Sequence, residues 1–122
     1  MNSVCLKYEI QNNSWLELAP YPIQKNGHCF LSRLSENIVI CGYESPRILC
    51  YNISTNTFID LPIVLSENTR KINFCYSNRI YILEDAKSIH ESGMNDLNKW
   101  TNIGSCSNLN NIHIASNSVL YK

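Results

Sequence analysis

Histidine and cysteine side chains are the groups in this chain best suited to metal binding or nucleophilic chemistry. The sequence holds three histidines and six cysteines. His28 and Cys29 are adjacent, so on a strand their side chains face opposite sides and cannot share an ion. His113 stands between two isoleucines and points away from both, and no flanking motif supports a Cys–His nucleophile. We therefore expect no metal site and no catalytic residue.

Other signatures of chemistry are also missing from the sequence. It contains no glycine-rich phosphate loop and no pair of carboxylates at a telling spacing. Ten basic residues balance ten acidic ones, so the chain has no electrostatic footprint for nucleic acid or an anionic membrane. A hydrophobic content of 44% is that of an ordinary globular protein. We expect a non-enzymatic protein without a cofactor, whose partner is a protein.

The cysteines indicate a reducing compartment. Five of them, Cys5, Cys29, Cys41, Cys50 and Cys75, sit in or beside apolar strand-like runs, where a free thiol behaves as a small hydrophobe. No apolar stretch follows a basic segment at the N-terminus, so no secretory signal is visible. The sequence therefore predicts six reduced thiols and a cytoplasmic location.

The elements that would position any site are short strands. The run from Ile38 to Cys41 is rich in β-branched residues and ends at Gly42, which is typical of a buried strand. Turn asparagines recur at Asn37, Asn78 and Asn117, at intervals of 41 and 39 residues. No segment keeps the 3.6-residue apolar period of a helix, so we predict an all-β fold.

A second set of positions repeats at nearly the same period. Trp15, Phe58 and Trp100 recur at intervals of 43 and 42 residues. An asparagine stands two places before each of these aromatics, at Asn13, Asn56 and Asn98. Four short strands in each repeat of about 42 residues are typical of a β-propeller blade. The Trp-Asp pair of WD-type blades is not found.

The stretch from Tyr8 to Pro22 resembles a kelch repeat, in which a Tyr precedes a polar turn, a Trp and a Leu-x-Pro-Met-Pro exit. Here Trp15 follows the turn, and Tyr21 takes the place of the Met. The resemblance weakens along the chain: Gly42 is one glycine of the usual doublet, and the third repeat has neither. The alternative is a different β-sheet protein in which Trp15 and Tyr51 are core aromatics.

The kelch resemblance implies about three four-stranded antiparallel blades, an incomplete propeller. Residues 1–26 would supply two strands of the first blade and residues 27–62 the second blade. Residues 63–104 would form the third blade, and residues 105–122 two strands of a further blade. Trp15, Gly42, Tyr51, Phe58 and Trp100 would have structural roles, and Trp15 would be buried between adjacent blades. Either the chain is a fragment, or two copies complete a six-bladed ring as a homodimer.

The resemblance also implies a function. Kelch-like propellers serve as substrate-recruiting arms of cullin-type ubiquitin ligases, although this chain shows neither a BTB nor an F-box module. Truncated kelch-like proteins of large DNA viruses have a similar composition. The expected partner-binding residues lie in loops that gather on one face: Lys25, Asn26, Tyr43, Glu44, Ser45, Arg47, Arg70, Lys71, Glu84, Asp85, Lys87 and His90. The alternative is a decayed structural fragment with no specific partner.

Overall fold

The fold is built from strands alone. The computed structural model describes residues 4–22, 29–42, 45–67, 69–85 and 88–105. They form β1 (Leu6–Glu9), β2 (Ser14–Glu17), β3 (Cys29–Leu34), β4 (Asn37–Gly42), β5 (Leu49–Asn52), β6 (Thr57–Asp60), β7 (Lys71–Tyr76), β8 (Arg79–Glu84), β9 (Ser88–Gly93) and β10 (Asp96–Ser105). The predicted all-β class is confirmed. No helix in these ranges is long and apolar enough to cross a membrane.

The strands form three antiparallel sheets. The first sheet pairs β1 with β2, the second sheet has the order β3-β4-β5-β6, and the third has the order β10-β9-β8-β7. Within each sheet, paired strands are consecutive in sequence. Antiparallel strands allow this because a short turn can join them. None of the three sheets closes on itself within the described ranges. The assignment of these sheets as propeller blades stays a prediction.

Residues with positive φ mark the hairpin turns. Asn13 and Asn56 have φ values of 47° and 53°, in the left-handed region that asparagine tolerates better than most residues. In the third sheet the equivalent turn conformation belongs to Asn95, at φ 54°, and Asn98 lies inside β10. The pairing of β10 with β9 has a register shift between Asp96 and Trp100, which accounts for the three-residue offset between Asn95 and Asn98. The repeat is therefore regular in the first two sheets and displaced in the third.

The second sheet is covered on both faces. Val39, Cys41, Ile48 and Cys50 belong to a cluster that also contains Ile80 and Ile82 of the third sheet. Their neighbours in sequence, Ile40, Leu49 and Tyr51, belong to a second cluster, against which Leu18 and Tyr21 pack. Successive strand residues point to opposite faces. Because both faces are buried, β4 and β5 have continuous apolar runs without alternating polar residues.

A buried polar contact joins the second and third sheets. The Asn73 side chain in β7 is fully buried, and its Nδ2 donates to the carbonyl oxygens of Phe30 (3.2 Å) and Val39 (3.1 Å). Its Oδ1 accepts a hydrogen bond of 2.7 Å from the Ser32 hydroxyl. The nitrogen and the oxygen of this amide thus both have partners, as a buried polar group requires.

Candidate functional site

Three connecting segments meet at one end of the second and third sheets. The amide of Leu65 donates to the carbonyl of Pro46 at 3.4 Å, and the amide of Ser66 donates to Glu84 Oε2 at 2.9 Å. The amide of Asp85 donates to the carbonyl of Arg70 at 2.7 Å. We call this region, residues 45–48, 61–67, 69–71, 84–85 and 88–90, the loop end. The tight hairpin turns at 35–36, 53–56, 77–78 and 94–95 form the opposite turn end.

Glu84 is the centre of a polar cluster in the loop end. Its Oε2 accepts hydrogen bonds from the Ser66 amide and, at 2.8 Å, from the Thr69 hydroxyl, while Oε1 lies 3.4 Å from His90 Nε2. Burial raises the pKa of the Glu84 carboxyl, but the hydrogen bonds from Ser66, Thr69 and His90 outweigh burial and hold it below its usual value. Glu84 and His90 therefore link the loop end internally.

Lys71 and Ser45, two of the expected partner-binding residues, have buried side chains. Only 1% of Lys71 is exposed, because the first residue of β7 turns its side chain inward, and its Nζ donates to the Thr69 carbonyl at 3.0 Å. Burial lowers the pKa of the Lys71 ammonium, although Glu84 acts in the opposite direction. Ser45 is also buried, and its Oγ accepts a hydrogen bond from the Arg47 amide at 3.2 Å.

Arg47, Arg70 and Asp85 are the expected binding residues that the structure leaves exposed. The Arg47 guanidinium donates two hydrogen bonds to Asp60, of 2.7 and 3.0 Å. The guanidinium, chiefly through its hydrogen bond, lowers the pKa of the Asp60 carboxyl. The Asp85 carboxylate accepts a hydrogen bond from the Arg70 amide at 3.3 Å. The exposed part of the loop end thus presents charges of both signs on a rigid base.

Five expected binding residues, Lys25, Asn26, Tyr43, Glu44 and Lys87, lie outside the described residues. The structure brings together the seven other members of the expected set, which are Ser45, Arg47, Arg70, Lys71, Glu84, Asp85 and His90. Their convergence follows from antiparallel pairing, which places the end of β4, the start of β7 and the end of β8 on one side.

The five residues expected to have structural roles divide into two groups. Tyr51 is buried, Phe58 and Gly42 are half-buried, and Trp100 packs on the cluster between the sheets, where its Nε1 donates to the Leu97 carbonyl at 2.7 Å. Trp15 is 65% exposed. The expectation that Trp15 is buried between blades is wrong for the described chain, because no sheet covers the outer face of β1 and β2.

An apolar cavity of about 400 Å³ lies between the first and second sheets. Leu6, Leu18, Ile38, Ile40 and Phe58 are among the residues that line it. Tyr21 is also part of the wall, and its hydroxyl lies 3.9 Å from Cys29 Sγ. No sequence motif marks this cavity, because its shape depends on how the two sheets pack.

The described residues include no group of three or more His, Cys, Asp or Glu side chains placed to hold a metal ion. Cys5, Cys29, Cys41, Cys50 and Cys75 form no disulfide, in agreement with the predicted free thiols, and Cys106 lies outside the described ranges. Burial raises the pKa of the Cys41 thiol to about 12, so this thiol is a poor nucleophile.

No protein-family model matches the sequence, and no curated protein matches it.

Proposed function

We propose that the chain is a protein-binding scaffold without catalytic activity, and that its sheets are blades of a kelch-type propeller. Its partner docks on the loop end, as in the substrate-recruiting propellers of cullin-type ligase adaptors. The cytoplasm is the proposed location. One observation carries the proposal: Arg47, Arg70 and Asp85 are exposed in sequence-distant segments that internal hydrogen bonds hold together.

Rigidity is the physical support for this function. Binding residues occur preferentially on loops that a stable scaffold positions, because a prearranged loop loses less conformational entropy on binding. Hydrogen bonds from Ser66 and Thr69 to Glu84 hold the connection between β6 and β7 against the third sheet. The backbone hydrogen bond from Leu65 to Pro46 holds the same connection against the second sheet. The buried Lys71 and Ser45 and the half-buried Glu84 therefore act as supports for the exposed residues.

The test compares two triple variants of equal charge change. The loop-end variant is Arg47→Ala, Arg70→Ala and Asp85→Ala, and its control is Arg33→Ala, Glu36→Ala and Lys99→Ala near the turn end. Each tagged chain is expressed in cells and crosslinked, and the recovered proteins are quantified by mass spectrometry. We expect the wild type and the control to enrich the same proteins and the loop-end variant to lose them.

Two outcomes would overturn the proposal. Equal recovery by the two variants would show that the loop end is not the binding face. Recovery of chaperones alone by the wild type would favour the fragment without a specific partner.

A further inference from the structure

Two pairs of aromatic side chains, Tyr8–Trp15 and Tyr51–Phe58, are arranged in the same way. We call each pair an aromatic corner. In the first sheet Tyr8 packs on Trp15, with ring centroids 5.0 Å apart and an interplanar angle of 52°. In the second sheet Tyr51 packs on Phe58 at 4.8 Å and 48°. Each tyrosine hydroxyl donates to the Oδ1 of the turn asparagine, Asn13 in the first sheet and Asn56 in the second. The two corners therefore present equivalent surfaces.

Only one of these surfaces is covered. Leu18 and Tyr21 pack on the corner of the second sheet, where Tyr21 meets Phe58 edge-on at 5.7 Å and Tyr51 is 7% exposed. The equivalent face of the first sheet is open in the described chain, with Tyr8 41% and Trp15 65% exposed. A large aromatic pair left open in this way is the kind of apolar patch that marks an interaction site.

The covering residues also repeat along the chain. Leu18, Leu61 and Ile103 follow the three aromatic positions at the same spacing, three residues after each. Leu18 packs on the second sheet, and Leu61 belongs to the cluster with Ile80 and Ile82 of the third sheet. Ile103 in β10 is 49% exposed. Among the described residues, the Tyr8–Trp15 corner thus has no covering side chain, and Ile103 covers no aromatic corner.

We propose that a second copy of this chain supplies the missing partner. Ile103 of each copy packs on the Tyr8–Trp15 corner of the other, which gives a two-fold symmetric dimer with two equivalent contacts. The contact repeats the packing of Leu18 on the Tyr51–Phe58 corner, which joins the first sheet to the second. Reciprocal contacts close the assembly, whereas a single head-to-tail contact would continue into a filament.

The free edge of β1 supports the same arrangement. In the described chain β1 pairs only with β2, so its other edge offers unpaired backbone groups.

The test is sedimentation velocity of the 122-residue chain over a range of concentrations. We expect a dimer for the wild type, and a dissociation constant at least ~30-fold higher for Trp15→Glu or Ile103→Lys, the loss typical of a central aromatic contact. Val64→Glu changes an exposed apolar residue elsewhere and should leave the dimer intact. Both contact residues are exposed in one copy, so both variants should fold, and circular dichroism checks this.

A mixing experiment separates this dimer from other symmetric ones. A mixed dimer of the two variants has one native contact and one contact in which the introduced glutamate faces the introduced lysine. The mixture should therefore dimerise where each variant alone is monomeric. A wild type that stays monomeric at its highest soluble concentration overturns the proposal. So does a mixture that stays monomeric. An Ile103→Lys variant that still dimerises also overturns it, because corner-to-corner packing would give that result. If one variant unfolds, sedimentation of the other variant still shows whether the dimer is lost or retained.

Discussion

The Asn73 side chain accepts a 2.7 Å hydrogen bond from the Ser32 hydroxyl and so connects β7 of the third sheet to β3 of the second. Both side chains are buried, and a buried amide without partners would be costly. The two sheets can therefore pack in only one register without leaving this amide and the carbonyls of Phe30 and Val39 short of partners. Asn73 therefore fixes how the second and third sheets pack on each other.

Asn73→Ala should lower the free energy of unfolding by about 3 kcal/mol, since three hydrogen bonds are lost at roughly 1 kcal/mol each. Denaturant unfolding followed by fluorescence measures the change. Asn98→Ala, at an exposed position of β10, is the control and should stay within about 0.5 kcal/mol of the wild type. Equal effects of the two variants would show that the sheets do not pack through this amide.

The turn asparagines offer a matched pair of variants. Asn56 Oδ1 accepts from the Tyr51 hydroxyl at 2.6 Å and from the Ala19 amide at 2.9 Å, whereas in the described chain Asn13 Oδ1 bonds only its own tyrosine. Both asparagines have positive φ, so an alanine at either position introduces the same backbone strain. Asn56→Ala should therefore destabilise the fold by about 1 kcal/mol more than Asn13→Ala. The difference is measured by thermal unfolding, and a larger effect at Asn13 would show that the hydrogen bond from the Ala19 amide to Asn56 adds no stability.

Glu84→Gln should lower stability by about 2 kcal/mol at neutral pH, because hydrogen bonds to a carboxylate are stronger than those to an amide. The folded protein holds the pKa of Glu84 below its ordinary value of 4.5, so the charge contributes stability above that pH. This contribution is lost as the pH falls through the lowered pKa. Unfolding curves of the two proteins should converge in that acidic range. Glu17→Gln, at an exposed position, should show no such convergence.

Lys71→Met should raise stability by about 1 kcal/mol at neutral pH, because the buried ammonium has a backbone carbonyl as its hydrogen-bond acceptor and is costly to desolvate. The folded pKa of Lys71 lies below its ordinary value of 10.5, so between the two values the unfolded chain binds more protons and stability rises with pH. The advantage of the methionine variant should therefore shrink in that alkaline window. Lys99→Met, at an exposed position, should show no trend.

Much of the fold could be predicted from the sequence. The continuous apolar run from Ile38 to Cys41 predicts a strand covered on both sides, and β4 is such a strand. The 43-residue repeat also corresponds to structure, since Asn13 and Asn56 occupy equivalent turns. These signals are local, and strand period and turn chemistry are set by neighbours in sequence.

What the sequence could not provide depends on packing between sheets. Arg70 and Lys71 together resemble a solvated turn, but only the start of β7 decides that Lys71 faces inward. In the third sheet, the repeat marks Asn98 while the turn forms at Asn95, because a register shift in β10 moves the aromatic position. The exposure of Trp15 likewise depends on which sheet stands next to it.

Trp15→Ala is the variant that separates the sequence expectation from the structure. Burial between blades would cost about 3–5 kcal/mol on truncation of the indole. In a single copy Trp15 is 65% exposed and contacts Tyr8, so we expect a loss below about 1 kcal/mol at dilutions where the chain is monomeric. Phe58→Ala, at the covered corner, should cost about 3 kcal/mol or more.

Thermal unfolding at several protein concentrations makes both comparisons. If the corner binds a second copy, the effect of Trp15→Ala grows with concentration while that of Phe58→Ala is already large at dilution. A large loss at every dilution would show instead that Trp15 is buried within one copy.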